Sequence, residues 1–147
     1  MATVREYFDT DLKSLSDNQA INILLLCSAA LVLLYALLSF NVSRMRLKRR
    51  KYPEVTEAEV TKAIRAHGNA AEYIPLFVAL FLYFNSTQPS VFVAGIAVLA
   101  TLSRAAHAAG MFLIPSVTER HPLRFYGALG TYICLFALGG ALLVRAL

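Results

Sequence analysis

The sequence predicts an all-α integral membrane protein built as a four-helix bundle, and three observations carry that expectation. Of 147 residues, 58% are hydrophobic and only 16% charged, with a mean hydropathy of +0.58. That is too apolar for a soluble domain of this length. Long apolar runs recur along the chain, separated by short stretches rich in Pro, Ser, Asn and charge. The charges are also concentrated: the net charge of +5 comes largely from one basic segment lying between two apolar runs. A basic soluble face for nucleic acid would be spread differently, so this segment reads as a juxtamembrane loop and nucleic acid is not an expected partner.

The chain divides into one transmembrane domain with spans at about 19–42, 57–84, 90–114 and 122–146. Met1 to Asn18 is polar and carries Glu6, Asp9, Asp11 and Asp17 where a signal peptide would have a basic start, so no cleavable signal is expected. The first span, Ile21 to Phe40, is broken only by Asn22, Ser28 and Ser39. Twenty residues at about 1.5 Å each cross the roughly 30 Å hydrocarbon layer. Arg44, Arg46, Lys48, Arg49, Arg50 and Lys51 follow, then Tyr52-Pro53. The positive-inside bias places this basic loop in the cytoplasm and both chain termini on the non-cytoplasmic side.

Thr56 with Glu59 has the spacing of a capping box, which starts the second helix near Glu57. It is expected to run to Phe84, before the turn Asn85 to Pro89. Its wholly apolar part, Tyr73 to Phe84, covers only about 18 Å. The half containing Arg65, Asn69 and Glu72 must then enter the membrane too, with those three at i, i+4 and i+7 on one face. In the third span Val91 to Leu102 is likewise too short, so the helix continues through Arg104 and His107 towards Ile114, and Pro115 ends it. The fourth span runs from about Leu123, with Arg124 in its opening turns.

Three helices thereby bring polar groups to one depth, near the cytoplasmic leaflet. A charge in the middle of a membrane helix costs about 2.5 to 3.5 kcal/mol on insertion scales, so such groups either neutralise one another as a structural network or serve a ligand. Arg binds carboxylates through two parallel bonds, a carboxylate accepts from an ammonium, and Asn does either, which suits a zwitterionic ligand. Cys27 and Cys134 lie inside spans without metal-ligand or CxxC spacing and read as small packing residues. His67 falls off the Arg65/Asn69/Glu72 face and reads as a packing residue, while His121 reads as loop. Pro75 is expected to kink the second helix.

The segment Arg65-Ala66-His67-Gly68-Asn69-Ala70-Ala71-Glu72-Tyr73-Ile74-Pro75-Leu76-Phe77 resembles the second-helix signature of the MAPEG superfamily, the membrane-associated proteins of eicosanoid and glutathione metabolism. The basic segment after helix one, Arg104 with His107 in helix three and an arginine opening helix four fit the same resemblance. It implies a homotrimer with glutathione sites between subunits, open to the cytoplasm. By the same resemblance, Arg65, Asn69, Glu72 and Tyr73 would bind the tripeptide, with Arg46 or Arg44 adding a carboxylate contact and Arg104 and His107 lining the site. Arg124, or in competition Arg120, would face the sulfur and hold it as a thiolate for attack on an apolar electrophile arriving from the bilayer. Gly68, where the prostaglandin E synthase branch has a second Arg, and Met111, where eicosanoid synthases often have Tyr, point to the bacterial glutathione-transferase-like branch. They also leave open a non-catalytic lipid- or glutathione-binding scaffold. A small transporter ranks below both, since the polar groups occupy one leaflet only.

Overall fold

The computed structural model describes residues 4–87, 90–114 and 120–147, with side-chain surroundings from residue 18 onward. Among the described residues the chain is all-α: α1 (Val4–Lys51), α2 (Glu57–Thr87), α3 (Val91–Leu113) and α4 (Pro122–Ala146). Three of these, α3, α4 and the Asn18–Lys51 part of α1, are long and apolar enough to cross a membrane. The protein is a multi-pass membrane protein. Helix α2 does not meet that standard, because its first half carries the polar residues, yet its buried positions run from Val60 to Phe84.

The basic segment is not a loop. Arg44 to Lys51 forms the last two turns of α1, and only Tyr52 to Thr56 connects it to α2. Nothing between Val4 and Lys51 is Gly or Pro, and Lys and Arg are good helix formers that also suit the negative end of the helix dipole. The helix continues until Pro53 disfavours the helical conformation of Tyr52. Helix α2 also exceeds its expected end at Phe84, since Ser86 and Thr87 both donate side-chain hydrogen bonds to the Tyr83 carbonyl and sustain another turn.

The expected capping box is present. The Thr56 backbone N–H donates to Glu59 Oε2 at 2.8 Å and the Glu59 N–H donates to Thr56 Oγ1 at 3.3 Å. Ser90 caps α3, accepting from the Val93 N–H at 3.2 Å. Helix α3 stops at Leu113 with Ile114 extended, as a residue before proline prefers; Pro115 to Thr118 and the following Glu119 lie outside the described residues. At the start of α4, His121 is not a bystander of the loop: its Nδ1 accepts from the Leu123 N–H at 3.2 Å, and Pro122 occupies the first helical position. Helix α2 runs on through Pro75 without a break.

Helices α1, α2 and α3 share the core, and α4 packs along α3. Leu24, Leu31 and Leu38 recur every seventh residue on α1 and share one core cluster with Ala66, Ala70, Ile74, Phe77, Phe81 and Phe84 of α2, which follow one another at the three- and four-residue steps of a helix face. Glycine brings α3 and α4 much closer. A Cβ on Gly127 would stand 2.6 Å from the His107 nitrogen and 2.7 Å from the Ser103 carbonyl oxygen, so only glycine fits there. Large apolar side chains such as Leu33, Leu37, Phe92, Leu102 and Phe136 face outward, as they would towards lipid. Cys27 and Cys134 are buried free thiols.

Candidate functional site

Arg104 is the most deeply enclosed charged side chain among the described residues, at 2% exposed. It sits on the face of α3 that meets both α2 and α4. Its guanidinium donates to Asn69 Oδ1 at 2.7 Å, to the Asn69 carbonyl at 3.3 Å and to Thr131 Oγ1 at 3.5 Å. The Tyr73 ring lies across it, 5.1 Å from the guanidinium carbon, in reach of a cation–π attraction. Thr131 is in turn tied to the Gly127 carbonyl at 2.7 Å. Three helices are thus joined by one cation, whose Nε is buried without a partner. Because Asn69 spends its oxygen on Arg104, its amide N–H groups are the part left for anything else.

One turn along α3, His107 holds the start of α4. Its Nδ1 lies 2.9 Å from the Arg124 backbone carbonyl. A carbonyl only accepts, so Nδ1 carries the proton and a neutral ring keeps its lone pair on Nε2. This bond fixes the backbone from which the Arg124 side chain departs. Gly110, the next small residue on that face, lets the Arg124 backbone approach α3 within 2.5 Å of where a Cβ would be.

Beside these groups an open cavity of about 950 Å3 is lined by Asn69, His107, Arg120, Arg124, Tyr126 and Tyr132, among others. The Tyr132 hydroxyl meets that of Tyr73 at 3.4 Å, which connects the cavity wall to the Arg104 cluster. The expected polar level across α2, α3 and α4 is therefore real. It brings together Asn69, Tyr73 and Arg104 in direct contact, and His107, Arg120 and Arg124 around the cavity.

The remaining expected residues are elsewhere in the single chain. Arg65 and Glu72 are exposed on α2 and do not line the cavity, and Arg46 is exposed near the end of α1. Arg44 bonds Asn41 Oδ1 at 3.0 Å and lines a separate groove. Of the i, i+4, i+7 stripe on α2, Asn69 hydrogen-bonds Arg104 of α3, while Arg65 and Glu72 stay exposed. Met111 is a core residue, 3% exposed. Around Gly68 a Cβ would meet nothing within 4 Å. His67 stacks on Tyr35 with ring centroids 4.9 Å apart, in keeping with a packing role.

Sequence reading missed Thr131 and Tyr132. Thr131 lies seven residues after Arg124, on the same face of α4, so helical spacing could have found it. Tyr132 sits deep in an apolar run, where a phenol needs a partner for its hydroxyl.

The sequence pattern of the MAPEG family matches residues 24–144. Among curated proteins, inner membrane protein YecN of Escherichia coli strain K12 is 40% identical over 81 residues, covering 50% of this chain and 62% of that protein. The YecN protein of E. coli O6:H1 matches to the same extent. The aligned part thus spans less than two thirds of these relatives. No solved structure matches the chain.

Proposed function

The chain belongs to the MAPEG family, and from that premise we propose that it is a membrane-bound, glutathione-dependent transferase or peroxidase acting on an apolar electrophile. What carries the reading is a single arrangement. Two arginines, Arg120 and Arg124, and the amide of Asn69 border one open cavity of about 950 Å3 inside an otherwise apolar bundle. The donor set suits a peptide carrying carboxylates. Asn69 offers N–H groups to a carbonyl or carboxylate, and the arginines offer planar pairs of donors. The orphaned Nε of Arg104 is a further donor turned towards no protein acceptor.

Glutathione supplies a thiol with an ordinary pKa near 8.5, nucleophilic only as the thiolate. The chain's part is to favour that anion. A guanidinium at the cavity wall does so more strongly than in water, because the surroundings are largely apolar. Arg124 is the residue assigned to it. It stands in the first turn of α4, where the helix dipole adds positive potential, and His107 fixes its backbone. Phe125, Tyr126 and Tyr132 give the same cavity apolar and aromatic walls for the electrophile.

Arg65 and Glu72, exposed on a bundle helix, would be costly against lipid. A second copy of the chain covering them, in a homotrimer, removes that cost and adds them to the site. With the charged ends of α1 and α2 in the cytoplasm, the cavity opens at the inner leaflet.

Adding glutathione to the purified protein should raise an ultraviolet thiolate absorbance that Arg124→Ala abolishes. Conjugation of a generic electrophile should fall with it. Glutathione binding without any thiolate signal in the wild type would instead support a glutathione-binding scaffold, and absence of binding would overturn both glutathione readings and leave the lipid-binding scaffold.

A further inference from the structure

We infer that the end of α1 carries a separate site for the headgroup of an anionic phospholipid. Arg44, Lys48 and Lys51 recur at i, i+4 and i+7 and line one groove of about 350 Å3. Ser43 and Tyr52 add hydroxyl donors to it, and Phe40 and Leu47 form apolar walls. Those walls are 68% and 64% exposed respectively, which suits contact with glycerol and upper acyl carbons rather than with water. Lys51 also lies over the Tyr52 ring, 5.4 Å from its centre.

Depth identifies the ligand. The apolar run of α1 ends at Phe40, which places that ring at the hydrocarbon boundary. Arg44 lies about 6 Å further along the axis and Lys48 about 12 Å, while the headgroup layer is roughly 5 to 7 Å thick on each side. Lysine stems reach back several ångströms to keep their ammonium at that level. Arg44 and, through its stem, Lys48 thus reach the level where phosphodiesters lie, while Lys51, about 16 Å along the axis, closes the outer end of the groove.

None of the nearby carboxylates, Glu54, Glu57 or Glu59, lines the groove. Glu57 pairs with Arg49 at 3.3 Å. Glu59 accepts from Thr56 in the capping box. Arg49 and Arg50, by the 100° step of the helix, project roughly 130° to either side of the Arg44/Lys48/Lys51 stripe, and neither lines the groove. The cations are therefore sorted by face, and the groove is more than a diffuse positive end.

That sorting makes the site testable against general charge attraction. The purified protein is mixed in detergent with equal amounts of phosphatidylglycerol and phosphatidylcholine, and bound lipid is read by native mass spectrometry. Wild type should retain phosphatidylglycerol preferentially. The double variant K48Q/K51Q should weaken that retention about tenfold or more, whereas R49Q/R50Q, which removes the same charge from the other face, should stay within about twofold. Equal loss in both variants would overturn the site in favour of unlocalised attraction, as would equal retention of the two lipids by wild type. Failure of this test leaves the glutathione reading untouched, because neither pair of residues borders the larger cavity.

Discussion

Asn69→Leu should be among the most damaging single substitutions in the bundle, out of proportion to the polarity it removes. The change deletes the 2.7 Å bond to a guanidinium that is 2% exposed. Arg104 keeps only the Asn69 backbone carbonyl at 3.3 Å and Thr131 at 3.5 Å, both long. A hydrogen bond to a charged group contributes about 1.5 to 3 kcal/mol, and stripping a partner from a buried charge costs about 3 to 5. Since two weak acceptors remain, the expected loss is about 3 kcal/mol, or roughly 6 to 12 °C in melting midpoint for a chain of this size. Arg104→Met should cost less, about 1 kcal/mol, because half-buried Asn69 can turn to water in the cavity. The double variant should then resemble Arg104→Met, with a coupling energy of about 2 to 3 kcal/mol. Thermal unfolding followed by circular dichroism in a mild detergent measures all four proteins. If the two single losses simply add, or if Asn69→Leu melts with wild type, Arg104 is not held by Asn69 and the central geometry is wrong.

Other substitutions probe the frame around that cluster. Gly127→Val would drive a side chain into the α3 backbone at His107 and Ser103, separating α3 from α4. The expected cost is about 3 kcal/mol in thermal unfolding, together with loss of the thiolate signal. Lys62→Met removes the ammonium that donates to the Phe112 and Ile114 carbonyls at the end of α3, at 3.2 and 2.8 Å. Thermal unfolding should register about 1 kcal/mol with glutathione affinity unchanged. Gly68→Arg has open space around its Cβ and gains helix propensity of about 0.7 kcal/mol. Its midpoint should match or exceed that of wild type, and a marked fall would show that the position is covered in the assembled protein.

Much of the frame was legible because local chemistry sets it. Thr56 and Glu59 cap α2 as their spacing requires, and Pro53 and Pro115 bound helices whatever packs around them. The error over Arg44 to Lys51 has an equally local cause. Charge density was read as loop, although charged residues without Gly or Pro extend a helix well. The site was legible as one end of the bundle, since Asn69 lies in the first half of α2, Arg104 in the last half of α3 and Arg124 in the first turn of α4. It was not legible as a set of contacts: Arg65, Asn69 and Glu72 share a face, yet only Asn69 turns into the chain's own bundle.

The sequence by itself determined an all-α membrane bundle, the starts of α2, α3 and α4, and the end of the bundle at which polar groups collect, because apolar length, capping and proline act within one segment, whereas α1 begins at Val4, about fifteen residues before its apolar run. Which of those groups meet was decided by tertiary structure. One residue turns a helix by 100°, so contact depends on how each helix is rotated and offset against its neighbours. The heptad ridge of Leu24, Leu31 and Leu38 sets that rotation for α1 and α2, and Gly110 and Gly127 set the close approach of α3 and α4. Only when those surfaces are seated does Asn69 reach Arg104, and only then does His107 hold the backbone of Arg124 at the mouth of the cavity.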